Sequence, residues 1–92
     1  MNWEQLEVGA SPEPRTVGPI TLTDIVRYQG ASGDFNPIHH DTGFAQASGF
    51  EQPVGVGMFH ASVMNSVATD WLGPDNLRST RIRWKAPVFP GD

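Results

Sequence analysis

The chain has 92 residues, a net charge of −4, no cysteine and 38% hydrophobic residues, among them three Trp and five Phe. That length allows one small domain, residues 1–92, with a thin margin of stability, and the aromatic content argues against disorder. The charge gives no reason to expect nucleic acid, and the missing cysteines exclude disulfides and thiolate metal sites.

In chain order, Met1 to Pro19 carries three prolines and scattered apolar residues (Trp3, Leu6, Val8). This reads as an extended lead-in with room for one short strand around Arg15 to Val17. A helix is expected from Thr21, because Thr21-Leu22-Thr23-Asp24 places an acidic residue three after a hydroxyl. Thr21 can accept from the Asp24 amide while the Asp24 carboxylate returns the bond at the positive end of the helix. Leu22, Ile25, Val26 and Gln29 recur at helical spacing, and Gly30 and Gly33 bring the helix to an end.

Asp34 to Val56 is rich in Gly and Pro and reads mostly as loop, with a helical turn over Asp41 to Ala47 capped by Asp41. Met58, Ala61, Met64, Val67 or Ala68, and Trp71 then fall three or four apart, and Gly73-Pro74 stops the run. Phe59, Val63 and Leu72 lie off the main row, so this helix is apolar on most sides and is expected to be central. In "RIRWKAPVF", Ile82, Trp84, Ala86 and Val88 alternate with Arg81, Arg83 and Lys85 as in a half-buried strand, and Pro87 argues for an edge or bulge. One good strand cannot cover a central helix, so covering strands are expected from elsewhere. No apolar run approaches the roughly 18 residues of a spanning helix and no signal pattern opens the chain. No membrane partner is therefore expected, and the cytoplasm is the default location.

The chemistry is concentrated between Tyr28 and Asp41. Asp34 and His39 are five residues apart, joined through Asn36-Pro37. Pro37 fixes its own backbone angle and steers Asn36 away from helical geometry, so the bend can hold both side chains convergent. A carboxylate beside an imidazole can share the handling of one water. Asp34 can equally serve as a turn cap. His39 and His40, being adjacent, face different ways, which leaves one of them exposed and idle. A metal site from Asp34, His39 and Asp41 matches no common ligand spacing, and Ser32 with His39 lacks a nucleophile elbow. The residues alone leave these alternatives open.

Tyr28 through Ala45, "YQGASGDFNPIHHDTGFA", resembles the signature of MaoC-like dehydratases, the hydratase 2 group of the hot-dog fold. The match takes in Tyr28, Gly33-Asp34, Asn36-Pro37, Ile38, His39 and Ala45. "LEVG" near the start, "FEQPVGVGM", Ala61-Ser62 and "KAPVFPGD" resemble the family's framework, so the resemblance spans nearly the whole chain. It implies an α+β hot-dog fold, an antiparallel sheet wrapped around a central helix, with the polar stretch overhanging the active site.

The resemblance also implies an activity: reversible hydration of trans-2-enoyl thioesters of coenzyme A or acyl carrier protein to (R)-3-hydroxyacyl products, with no cofactor and no metal. Asp34 and His39 match the catalytic pair that holds and activates water, and Asn36 matches a residue that buttresses the loop. The Gly57 N–H, at the start of the central helix, matches the donor to the thioester carbonyl. Ser62 matches a position near the active site in some members, although a small packed residue explains it as well. Many relatives carry His directly before that glycine; this chain has Val56, with His60 four residues later. The family continues beyond "VFPGD" with further strands, so the domain is expected to be C-terminally incomplete, as a fragment or as a subunit completed by a homodimer or another hot-dog subunit.

Four of the six positive residues, Arg78, Arg81, Arg83 and Lys85, fall within eight positions. A solvated strand face explains them most cheaply. The functional reading is that Arg83 and Lys85 attract the phosphates of coenzyme A or an acidic carrier. Two alternatives stand beside the hydratase: a non-catalytic hot-dog subunit, and a thioesterase on the same fold.

Overall fold

The structure is a computed structural model that describes residues 2–92. Its order is a 3-10 turn Trp3–Gln5, helix α1 Leu22–Ser32, a 3-10 turn Pro37–His39, helix α2 Thr42–Ala47, helix α3 Gly57–Leu72 and a 3-10 turn Pro74–Asn76. The lead-in is seen from Asn2 onward; Met1 lies outside the described residues.

α1 begins where its capping residues place it. Thr21 Oγ1 accepts from the Asp24 amide at 3.1 Å, and Asp24 Oδ2 accepts from the Thr21 amide at 2.9 Å. These bonds from Thr21, backbone first, hold the Asp24 carboxyl below its ordinary value. The helix runs through Gly30 and stops at Gly33, whose φ of +75° suits glycine and whose N–H bonds the Gln29 carbonyl. Asp41 caps α2 through the Phe44 amide at 3.0 Å.

The core is small. Ile20, Ile25 and Val56 are buried, with Tyr28, Phe59 and Val88 packed against them. Tyr28 meets Phe59 edge to face at 5.2 Å, which joins α1 to the first turn of α3. His60, on the same turn, has a buried Nε2 with no hydrogen-bond partner. It fits because residue 55 is glycine: a Cβ there would strike the imidazole and lie 3.0 Å from the Val88 carbonyl oxygen. That carbonyl accepts from the Gly55 amide at 2.7 Å, and the Gly91 amide and Asp92 carbonyl exchange two bonds with Ile20.

Two expectations are corrected. Among the described residues there is no β-strand. Arg81 to Val88 is irregular chain in which Trp84 and Ala86 are exposed and only Ile82 and Val88 are half-buried, and Arg15 to Val17 is exposed and irregular as well. Alternation prepares a strand, but a strand needs a partner ladder for its amides and carbonyls, and isolated backbone bridges do not provide one. For the same reason α3 is not sheathed: Ala61 is its one buried residue, and Met58 and Met64 are 58% and 63% exposed. The radius of gyration is 15.9 Å, against about 12 Å for a close-packed chain of this length. No helix is long and apolar enough to cross a membrane among the described residues.

Thr21→Ala removes half of the capping box and should cost about 1 kcal/mol, seen as a lower Tm. Burial holds the His60 imidazole below its ordinary pKa of 6.5. The folded chain therefore binds fewer protons at His60 than the unfolded chain does. The associated stability is present above the unfolded value and is lost as pH falls through the lowered one. His60→Leu should flatten the fall of Tm as pH drops below the ordinary value of 6.5, without loss at neutral pH. A slope as steep as wild type would mean that His60 is not held neutral.

Candidate active site

Pro37 opens the 3-10 turn and Asn36 caps it, its side-chain oxygen accepting from the Ile38 amide at 3.1 Å. This local geometry, dictated by Asn-Pro, carries His39 back toward Asp34. His39 Nδ1 lies 2.6 Å from the Val54 carbonyl oxygen. A carbonyl only accepts, so Nδ1 carries a proton, and in the neutral form of the ring Nε2 is the nitrogen with the free lone pair. Nε2 faces Asp34 Oδ2 at 3.9 Å, with the imidazole side chain 13% exposed and the carboxylate 47% exposed. The gap is too wide for a direct hydrogen bond, but one water can contact both groups. The second carboxylate oxygen, Oδ1, accepts from the Asn36 amide at 3.3 Å. Asp34 thus forms a local turn and presents its other oxygen to the imidazole.

Beneath this loop, Gln29 of α1 is 2% exposed. Its Nε2 donates to the carbonyls of Asp34 at 2.8 Å and Asn36 at 3.1 Å, and its Oε1 lies 2.9 Å from His40 Nδ1. The sequence marks Gln29 only as a member of the helical stripe. The one available signal is a polar residue at an apolar register position, one turn before the Asp34 loop. His40, expected to be idle if exposed, is exposed yet bonded.

A cavity of about 310 Å³ is lined by apolar residues together with Gly57, His60 and Lys85. Val54, whose carbonyl holds His39, contributes to its wall, whereas Asp34 and His39 do not line it. Gly57 begins α3, and Val56 before it offers no side-chain cap. Among the described residues the amides of Gly57 and Met58 find no backbone acceptor, which leaves the positive end of a sixteen-residue helix open. Trp84 closes over this turn, its Nε1 donating to the Gly57 carbonyl at 3.0 Å. A Cβ on residue 57 would lie 3.0 Å from the indole, so a larger residue would push the exposed Trp84 ring back by a few tenths of an ångström.

The remaining candidates separate from this arrangement. Ser62 is exposed and its hydroxyl donates to the Met58 carbonyl one turn back. Arg83 is exposed and does not line the cavity. Val56, standing before Gly57, is a core residue at 3% exposure. Asp41 serves as the α2 cap, and among the described residues no cluster of three His, Asp or Glu is placed to hold a metal.

The MaoC like domain model matches residues 4–92. The (R)-specific enoyl-CoA hydratase of Aeromonas caviae is 32% identical over 94 residues, covering 100% of this chain and 69% of that protein. The 3-hydroxybutyryl-CoA dehydratase of Methylorubrum extorquens is 32% identical over 92 residues, covering 98% of this chain and 57% of the relative. The 3-hydroxyacyl-thioester dehydratase Y of Mycobacterium tuberculosis is 38% identical over 65 residues, 66% of this chain and 22% of that protein. By their names these relatives are hydro-lyases, and the chain spans from about two thirds to about a fifth of their lengths. With nearly its whole length matched, the chain belongs to the MaoC-like domain family, whose fold is the hot dog.

Proposed function

We propose that the chain catalyses reversible hydration of trans-2-enoyl thioesters, carried on coenzyme A or acyl carrier protein, to (R)-3-hydroxyacyl thioesters. The observation that carries this reading is the contact of His39 Nδ1 with the Val54 carbonyl, which leaves Nε2 facing Asp34 across a gap of 3.9 Å. A water placed there gives one O–H to Nε2 and the other to the carboxylate. As its oxygen bonds to the β-carbon, Nε2 takes the first proton, and the alkene electrons move toward the thioester oxygen. The Gly57 amide, at the open end of α3, is the donor assigned to that oxygen. The protonated Nε2 then delivers its proton to the α-carbon, so the elements of water are added without any other reactant. Asn36 supports the bend. Lys85, on the cavity wall, is assigned to the carrier's phosphates, with Arg83 as an outlying contributor. Ser62 is assigned a supporting place on α3. The open flank of α3 at Met58 and Met64 supports a working form in which an antiparallel sheet, or another hot-dog subunit, covers that face.

Crotonyl-CoA, followed by its enoyl absorbance with wild type and with Asp34→Asn, tests the reading. Wild type should consume the enoyl signal and form the (R)-3-hydroxy product. Asp34→Asn can still accept from the Asn36 amide but lacks the second anionic oxygen, and should be slower by about 10²–10⁴-fold. Release of free thiol would assign thioesterase chemistry instead. No reaction from a chain shown to be folded would assign a non-catalytic supporting subunit.

A further inference from the structure

The Asp34–His39 pair sits on a loop with 47% of the Asp34 side chain exposed, and loops of that kind are mobile unless something buried holds them. The holding element is Gln29. A buried amide must satisfy its oxygen and both N–H groups. Two acceptors, the carbonyls of Asp34 and Asn36, lie 2.8 and 3.1 Å from one end of this side chain, which fixes that end as the NH₂ group. The other end is therefore oxygen, and the ring nitrogen 2.9 Å from it, His40 Nδ1, must donate. The three bonds tie α1, through a residue 2% exposed, to both sides of the Asp34 loop and to the residue after His39.

We propose that Gln29 is a positioning residue for the Asp34–His39 pair, with its free oxygen held by His40. This rests on the hydratase reading for its kinetic consequences, but not for the physical clamp. Gln29 touches neither catalytic side chain. It grips backbone carbonyls, so it sets where Asp34 begins and where the Asn-Pro bend starts. An amide turned around would set its oxygen against two carbonyls, so those carbonyls fix its orientation and the His40 bond holds the oxygen end in place.

The test uses Gln29→Leu and His40→Ala in the full chain. With crotonyl-CoA, Gln29→Leu should lower kcat by about 100-fold and leave KM within about twofold, because displacement of catalytic groups affects the transition state more than ground-state binding. His40→Ala, at an exposed site, should lower kcat by about tenfold. Thr21→Ala, which loosens α1 without touching the clamp, should leave kcat unchanged. In the unliganded chain, backbone hydrogen exchange at Asn36, Ile38 and His39 should quicken in both clamp variants and not in Thr21→Ala. If wild type does not hydrate crotonyl-CoA, the hydratase reading fails and the exchange data alone decide the clamp. Wild-type exchange in both variants overturns the proposal, as does a kcat loss shared equally with Thr21→Ala. Should Gln29→Leu fail to fold, His40→Ala decides by the same two measurements.

Discussion

The bond from His39 Nδ1 to the Val54 carbonyl, 2.6 Å long, orders the chemistry of this domain. A histidine without such an anchor can carry its proton on either nitrogen and turn about its side-chain bonds. Here a backbone acceptor fixes both choices, so the free lone pair faces Asp34. The acceptor belongs to the connection that leads through Gly55 and Val56 into α3. One bond therefore couples the polar loop to the segment that carries the open helix terminus and the cavity.

Support for that bond comes from two directions. On one side Asn36 and Pro37 force the turn, and Gln29 holds its backbone from within α1. On the other side the Gly55 amide is tied to Val88, Val56 is buried in the core, and the Val54 amide bonds the Ile38 carbonyl at 3.1 Å. The imidazole is thus bracketed by backbone bonds made before and after it. Glycine at 55 and 57 lets His60 and Trp84 approach the chain closely. The cavity wall is accordingly built from side chains that glycine admits, which links two small residues in the sequence directly to the shape of the site.

Short-range signals were legible in the sequence because their physics is local. The Thr21-Asp24 box, the Asp41 cap, the left-handed Gly33 and the Gly73 stop each concern groups within a turn of one another. The convergence of Asp34 and His39 was legible for the same reason, since Asn-Pro bends the chain between them. What depended on distant partners was not. The alternation of Ile82, Trp84, Ala86 and Val88 signals a face but not the neighbouring strand that would pair it, and here that stretch is irregular. α3 is apolar on most sides, yet for want of the same sheet most of it is only half-buried and Ala61 alone is fully covered. Gln29 looked like an imperfect member of an apolar stripe, because its three partners become neighbours only after the loop has folded back over α1.

The most direct measurement is the protonation pattern of the His39 ring, read from long-range proton–nitrogen correlations in the nitrogen-15-labelled chain at a pH where the ring is neutral. Nδ1 is expected to carry the proton, with Nε2 showing the shift of a free lone pair. A proton found on Nε2, or rapid averaging between the two nitrogens, would mean that Val54 does not hold the ring and that no base faces Asp34.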